Sequence, residues 1–283
     1  MSSAVLLISC PDQKGITATV TNFISTSNGN ILHADQHIDD QSNTFFMRIE
    51  WSLKDFHLSR ELIAQKFGHI AQTFNMSWEL FYTDNLPRVA IFVSRHLHCL
   101  IDILYRHKAG RLDCEIPLVI SNHKDAEKIV RDYGIEFVYL PVTKENKEEQ
   151  EQKQLEMLKL HKIELILLAR YHQIFTKSFV EHYPNKIINI HHSFLPAFAG
   201  GSPYAQAYQK GVKLIGATSH YVTEILDEGP IIEQDTVRVD HRDSLEDLKE
   251  RGEDLERLVF SRAIKLALQR KILTYNNKTV VFD

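Results

Sequence analysis

The chain lacks long hydrophobic runs, a surplus of either charge, and cysteine pairs. No segment approaches the ~20 apolar residues that a membrane-spanning helix needs. The first residues, MSSAVLLISCPD, carry no basic region, and their apolar run is too short for a secretory signal. A formal net charge of -4 leaves no basic surplus for nucleic acid or a membrane surface. Cys10, Cys99 and Cys114 are odd in number, far apart and without the spacing of a metal site. They read as reduced thiols, so a cytoplasmic location is expected.

What is present is ordinary globular material, 43% hydrophobic and 25% charged, so composition singles out no special class. The 283 residues accommodate one large domain or two ordinary ones. Residues 4–10 form a short apolar strand candidate, broken by Pro11-Asp12, with Gly15 in the same turn. Ile16, Val20, Phe23 and Ile24 recur at helical spacing up to Gly29. Residues 30–39 and 45–53 read as strands, 58–74 as an amphipathic helix and 76–82 as a closing strand. The order β-α-β-β-α-β is the ferredoxin-like arrangement. Residues 1–83 are assigned to this first domain, and the short polar stretch 84–87 to a linker.

Residues 88–283 are assigned to a second domain. Strands are expected at 89–93, 116–121, 136–140, 163–169 and 187–190, with helices near 97–107, 125–132 and 175–182 between them. The charged run 144–162, bearing Leu155, Leu158 and Leu160, reads as a solvated helix. Such alternation predicts an α/β fold with a doubly wound, mostly parallel, Rossmann-like sheet. Ligands then bind at the carboxyl ends of its strands. A short helix follows Ser202-Pro203, and residues 212–222 form another apolar run. Residues 244–271 read as a long closing helix. Gly252 inside it costs about 1 kcal/mol against alanine, so a break or kink is expected there. Residues 272–282, with Asn276-Asn277 at their middle, predict a terminal hairpin.

The chemistry concentrates between residues 186 and 234. Asn189 and His191 sit two apart on a strand end, so their side chains leave one face. Downstream, an acidic loop closed by Gly229-Pro230 offers Asp227. An amide N–H can hold a developing oxyanion, and an imidazole can move a proton near neutral pH. A carboxylate can orient the imidazole or an attacking water. Asn189 is unusual inside a strand, where a turn or cap role would be the bland explanation. Taken alone, His191 reads as a core histidine and Asp227 as a turn residue. Together the three fit acyl chemistry on a small carbonyl. His192 reads as a bystander, and His220 either supports the site or packs in the core. A zinc site from His191, His192, His220 and Asp227 is disfavoured, because adjacent strand residues face opposite ways.

The motifs N-I-H-x-S-x-L-P-x-F-x-G, Q-A-x-x-x-G-V-K-x-x-G-x-T and D-x-G-P-I-I-x-Q are long, ordered and correctly spaced. They resemble the folate-dependent formyltransferase family. His98-Cys99-Leu100 and the S-N-H-x-D of residues 121–125 resemble its hydrolytic branch; the bland reading of the latter is helix capping before Ala126. The pieces C-P-D-x-x-G-I, Gly29-Asn30-Ile31 and Q-H-x-D in the first domain resemble an ACT module.

The resemblance implies hydrolysis of 10-formyltetrahydrofolate to formate and tetrahydrofolate, which supplies formate and balances the one-carbon folate pools that feed purine biosynthesis. It implies no metal and no resident cofactor, with Asn189, His191 and Asp227 as catalytic residues. Folate contacts are implied at His172, Gln173, Ile174 and Phe175 on one side. Val222, Thr223 and Glu224, continuing to Ile225, close the other. Members of the family usually carry methionine where this chain has His172, and often lysine where it has Ala199. The ACT resemblance implies a homo-oligomer and an amino-acid effector such as glycine or methionine. Relatives that formylate a sugar-phosphate amine cradle its phosphate in a glycine-rich turn after the first strand of this domain. Here that turn reads Ser94-Arg95-His96-Leu97, without glycine, which favours water as acceptor. The alternatives are transfer of the formyl group to a non-phosphorylated amine and a non-catalytic folate or amino-acid sensor.

Overall fold

The computed structural model describes residues 2–197 and 203–282. The chain divides into two compact units. The first runs to Leu86 and takes back Gln269–Tyr275 and the residues from Val280 on; the second holds Pro87–Leu268 and Asn276–Thr279. The domain expected over 88–283 therefore gives up most of its last residues to the first unit.

The first unit begins β1 (Ser3–Pro11), α1 (Ile16–Thr26), β2 (Asn30–Asp39), β3 (Thr44–Ser52), α2 (Arg60–Thr73) and β4 (Ser77–Tyr82). Its antiparallel sheet has the order β2-β3-β1-β4, as the βαββαβ reading requires. Alternate residues of β1 and β3, among them Leu6, Ile8, Met47 and Trp51, face Ile16, Val20 and Ile24 of α1 and Ile63 and Phe67 of α2. That alternation follows from the two-residue period of a strand. Leu7 and Phe46 point the other way, into a second cluster with Val280 and Phe282. Both faces of β1 are thus covered, which explains its continuous apolar run. The last residues stay with this unit because they bury its second face.

The second unit runs β5 (Arg88–Val93), α3 (His98–Lys108), β6 (Glu115–Ser121), α4 (Glu127–Asp132), β7 (Glu136–Tyr139), α5 (Lys147–Leu160), β8 (Leu165–Ala169), α6 (Lys177–Glu181), β9 (Ile187–His191), α7 (Pro203–Lys210), β10 (Leu214–Tyr221), β11 (Ile231–Arg238) and α8 (Leu245–Leu268). The chain closes with β12 (Ile272–Tyr275) and β13 (Lys278–Val281), a two-stranded sheet. The large sheet has the order β11-β10-β9-β8-β5-β6-β7. Strands β5 to β9 pair in parallel, and β10 and β11 are antiparallel additions. Strand β11 escaped the sequence reading: glutamate, glutamine and aspartate interrupt IIEQDTVR and weaken its apolar signal.

Two further expectations change. Helix α8 is unbroken through Gly252. A Cβ there would lie 2.2 Å from the Tyr204 hydroxyl oxygen, so the glycine admits a neighbouring ring rather than ending the helix. Helix α5 is not merely solvated. It buries Glu151, Gln154 and Leu158, and Glu151 accepts a 3.0 Å hydrogen bond from the Thr176 backbone at the start of α6. Among the described residues no helix is long and apolar enough to cross a membrane.

Candidate active site

Strand β9 carries apolar residues into the sheet and ends on Asn189 and His191. Asn189 stands opposite His220 in the β9–β10 ladder, and His191 opposite Thr218. Beyond β10 the chain reverses sharply, with the Tyr221 backbone N–H donating to the Pro230 carbonyl at 2.9 Å. A Cβ on Gly229 would fall 1.8 Å from the Tyr221 carbonyl oxygen, so this reversal needs glycine. It brings Asp227, in the left-handed region at φ 57, back over the strand ends. Asp227 Oδ2 lies 3.3 Å from His191 Nδ1, and its Oδ1 lies 3.7 Å from His220 Nε2. Asn189 Nδ2 is 3.3 Å from the same His220 nitrogen.

Burial pushes the Asp227 carboxyl up, but the hydrogen bond from His191 leads the effects that outweigh it and hold it well below the usual carboxylate range. It stays ionised where the enzyme would work. His191 Nε2 is buried and has no hydrogen-bond partner among the described residues. An imidazole tied at Nδ1 and free at Nε2 is set to exchange a proton at Nε2.

These groups line a cleft of about 320 Å3 at the carboxyl ends of β8 and β9. All ten residues singled out from the sequence line it: Asn189, His191, Asp227, His172, Gln173, Ile174, Phe175, Val222, Thr223 and Glu224. Their side chains differ in what they offer. Phe175 stacks on Phe179, with ring centroids 3.9 Å apart, and belongs to the core. Ile174 and Ile225 are exposed. Glu224 reaches out to Lys177 Nζ at 2.8 Å.

The backbone of the segment that begins at His172 is held at its start. The His172 N–H donates to Ser94 Oγ at 3.1 Å, and the Ser94 hydroxyl donates to buried Asn122 Oδ1 at 2.8 Å. Asn122 belongs to the S-N-H-x-D stretch, which therefore supports the cleft. The capping alternative fails, because no side chain caps the helix at Ala126. His192, expected as a bystander, also lines the cleft. Strand β9 ends at His191, so the opposite-face argument does not reach His192. Burial, and next the Arg170 charge, press its imidazole down to about 3. The same two causes press His172 down to about 4, so both rings are neutral at neutral pH. Ala199, with Gly200 beside it, lies outside the described residues.

Sequence reasoning missed the ionic knot beneath this wall. Glu256 of α8 is fully buried and accepts from the Tyr204 hydroxyl at 2.6 Å. His98 Nε2 lies 2.8 Å from it, and Arg170 Nε 3.4 Å. A carboxylate can be buried only when so surrounded. Burial alone would raise its carboxyl; His98 first, then Arg170, hold it below its ordinary value. His98, Cys99 and Glu256 also fall together as potential metal ligands among the described residues. Arg170 already supplies positive charge there. No local motif announces the knot, since its four residues come from segments scattered between positions 98 and 256.

Residues 87–264 match the Formyl transferase family, and residues 4–67 match the ACT domain. The chain belongs to the formyl transferase family. A formyltetrahydrofolate deformylase from Synechocystis is 54% identical over 99% of this chain and 98% of its own. The crystal structure of a formyltetrahydrofolate deformylase from Pseudomonas syringae matches with a TM-score of 0.98 and 43% identity, over 100% of this chain and 95% of that one. A glycinamide ribonucleotide transformylase from Symbiobacterium toebii matches less of it, 72% of this chain and 98% of its own, with a TM-score of 0.68 and 29% identity. The likeness to the formyltetrahydrofolate deformylases thus includes the ACT domain, within the formyl transferase family.

Proposed function

We propose that this chain hydrolyses 10-formyltetrahydrofolate to formate and tetrahydrofolate, with water as the formyl acceptor. The observation that carries the reading is the meeting of Asn189, His191 and Asp227 in one cleft of about 320 Å3. That volume suits a single small ligand, of which the folate head would be the buried part. The backbone of residues 172–175 would hydrogen-bond the pteridine edge, and Val222, Thr223 and Glu224 would form the opposite wall.

In the proposed reaction Asn189 donates an amide N–H to the formyl oxygen, a contact that strengthens as that oxygen gains charge. Asp227 orients His191 through Nδ1 and positions the water. The water oxygen bonds to the formyl carbon as one of its protons passes to His191 Nε2, giving a tetrahedral intermediate. The bond from that carbon to folate N10 then breaks, and His191 delivers a proton from Nε2 to the nitrogen. Formate leaves as an anion, and the remaining proton passes to solvent. The scheme uses no metal and no resident cofactor.

Water is favoured over an amine by the turn after β5. Residues 94–97 contain no glycine; Ser94 bonds Asn122, and the His96 ring packs on His172, with centroids 5.5 Å apart. The ACT domain is proposed to bind a small amino acid, glycine or methionine, and to join copies of the chain into a homo-oligomer. Titration of either amino acid against rate tests the effector; a flat response leaves assembly as its role. Three free, buried cysteines suit a reducing, cytoplasmic setting.

Formate release in buffer without amine tests the reaction. Replacing Asn189, His191 or Asp227 with alanine is expected to lower kcat about 100-fold or more. Near-normal turnover in any of the three would remove that residue from the scheme.

A further inference from the structure

Asn189 can stabilise an oxyanion only if its amide presents N–H rather than C=O to the formyl oxygen. An asparagine side chain can turn over, so something must choose its orientation. We infer that His220 makes that choice: it is a positioning residue that acts through Asn189, and the inference rests on the catalytic reading above.

His220 stands directly opposite Asn189 in the β9–β10 ladder, so both side chains leave the same face. On the other side of β10, the β10–β11 ladder shifts register between Ser219 and His220, a bulge of the kind that re-aims a side chain. His220 is 2% exposed, so solvent does not compete for its ring. Its Nδ1 lies 2.9 Å from the Tyr221 carbonyl oxygen. A carbonyl oxygen only accepts, so Nδ1 carries the proton. In the neutral ring Nε2 is then a bare acceptor. Asn189 Nδ2 is 3.3 Å from it, within hydrogen-bond reach. Asp227 Oδ1, at 3.7 Å, is farther away and is itself an acceptor. The arrangement is satisfied when the amide nitrogen faces the ring. One N–H of Asn189 is held by His220, and the second N–H of the same nitrogen is left for the formyl oxygen. If the amide turned over, two acceptors would face each other at Nε2, and a carbonyl would face the oxyanion.

The chain from Tyr221 to His220 to Asn189 therefore runs in one direction, each donor set by the group behind it. The Tyr221 carbonyl fixes the tautomer, the tautomer fixes the amide, and the amide is ready before substrate arrives. Such preorganised donors matter in the transition state more than in the bound substrate. The effect belongs in kcat, with KM nearly unchanged.

Two substitutions separate the halves of the ring. His220→Asn keeps a donor near the Tyr221 carbonyl but has nothing at the Nε2 position. His220→Gln reaches the Nε2 position with an amide oxygen, which accepts from Asn189. The expected result is a kcat loss of about 10- to 100-fold in H220N, most of the activity kept in H220Q, and little change in KM for either. In an Asn189→Ala background, H220N should cost nothing further, because its route to the substrate is already gone. Thermal melts of both variants account for any loss of folded protein. A proton-relay role through Asp227 predicts the opposite pattern: no rescue by glutamine and a full additional loss in the Asn189→Ala background. That pattern, or near-normal kcat in H220N, overturns the inference. Near-normal turnover of Asn189→Ala alone would instead sink the catalytic reading, whatever His220 does.

Discussion

Two imidazoles on the wall of the cleft are held neutral by what surrounds them. His192 is driven down from an ordinary 6.5 to about 3, by burial and then by Arg170. Its folded pKa lies below its unfolded value. The stability it contributes is therefore complete above pH 6.5 and is lost progressively as pH falls from there towards 3. His192→Gln, which cannot take up that proton, should flatten the fall of the melting temperature between pH 6.5 and pH 4. An unchanged slope would mean that His192 is not the group titrating. The same neutrality means that His172 brings no charge to the cleft wall at neutral pH. Asn189, His191 and Asp227 were legible because each lies in an ordered, closely spaced motif. Arg170 and Glu256 were not: they are 86 positions apart, and a lone glutamate in a charged helix reads as solvated until the fold buries it.

Helix α8 illustrates the limit of local propensity. A glycine inside 24 helical residues argues for a break, yet the helix continues. Gly252 is there for Tyr204, whose hydroxyl bonds Glu256 at 2.6 Å and whose ring fills the space a side chain would need. If Gly252 were only a weak point, Gly252→Ala would stabilise the protein by about 1 kcal/mol. The clash with Tyr204 predicts the other sign, a loss of about 1–3 kcal/mol in urea unfolding. Strand β11 failed the reading in the opposite direction, its polar residues masking a strand that the β10 ladder imposes. The parallel strands β5, β6 and β8 were legible because burial on both faces makes them continuous apolar runs.

Across the whole molecule, the βαββαβ and alternating β/α orders foretold the first sheet and the parallel part of the large one, but not where the chain's end would go. Contacts far apart in sequence decide that. Leu273, Tyr275, Val280 and Phe282 join Leu7 and Phe46, closing the second face of the first sheet. Arg48 adds hydrogen bonds to the Arg270 and Gln269 carbonyls at 3.1 and 3.2 Å. The turn between β12 and β13 serves the second unit instead: Asn277 Nδ2 donates to the Glu228 carbonyl at 2.8 Å, beside Asp227. Truncation after Leu268 should therefore do two things. Burial of several large apolar side chains, each worth about 1.5–3 kcal/mol, would be lost from the first unit. The loop holding Asp227 would lose its anchor, so kcat should fall in whatever protein stays folded. Wild-type stability and rate in the truncated chain would show the segment to be dispensable.

The central claim is that water, not an amine, takes the formyl group. Turnover of 10-formyltetrahydrofolate in heavy-oxygen water tests it most directly, with an amine present or absent. The account predicts formate carrying one heavy oxygen from solvent, released at the same rate in both cases. Turnover that requires the amine and leaves the formyl group on it, without solvent oxygen, would contradict the account.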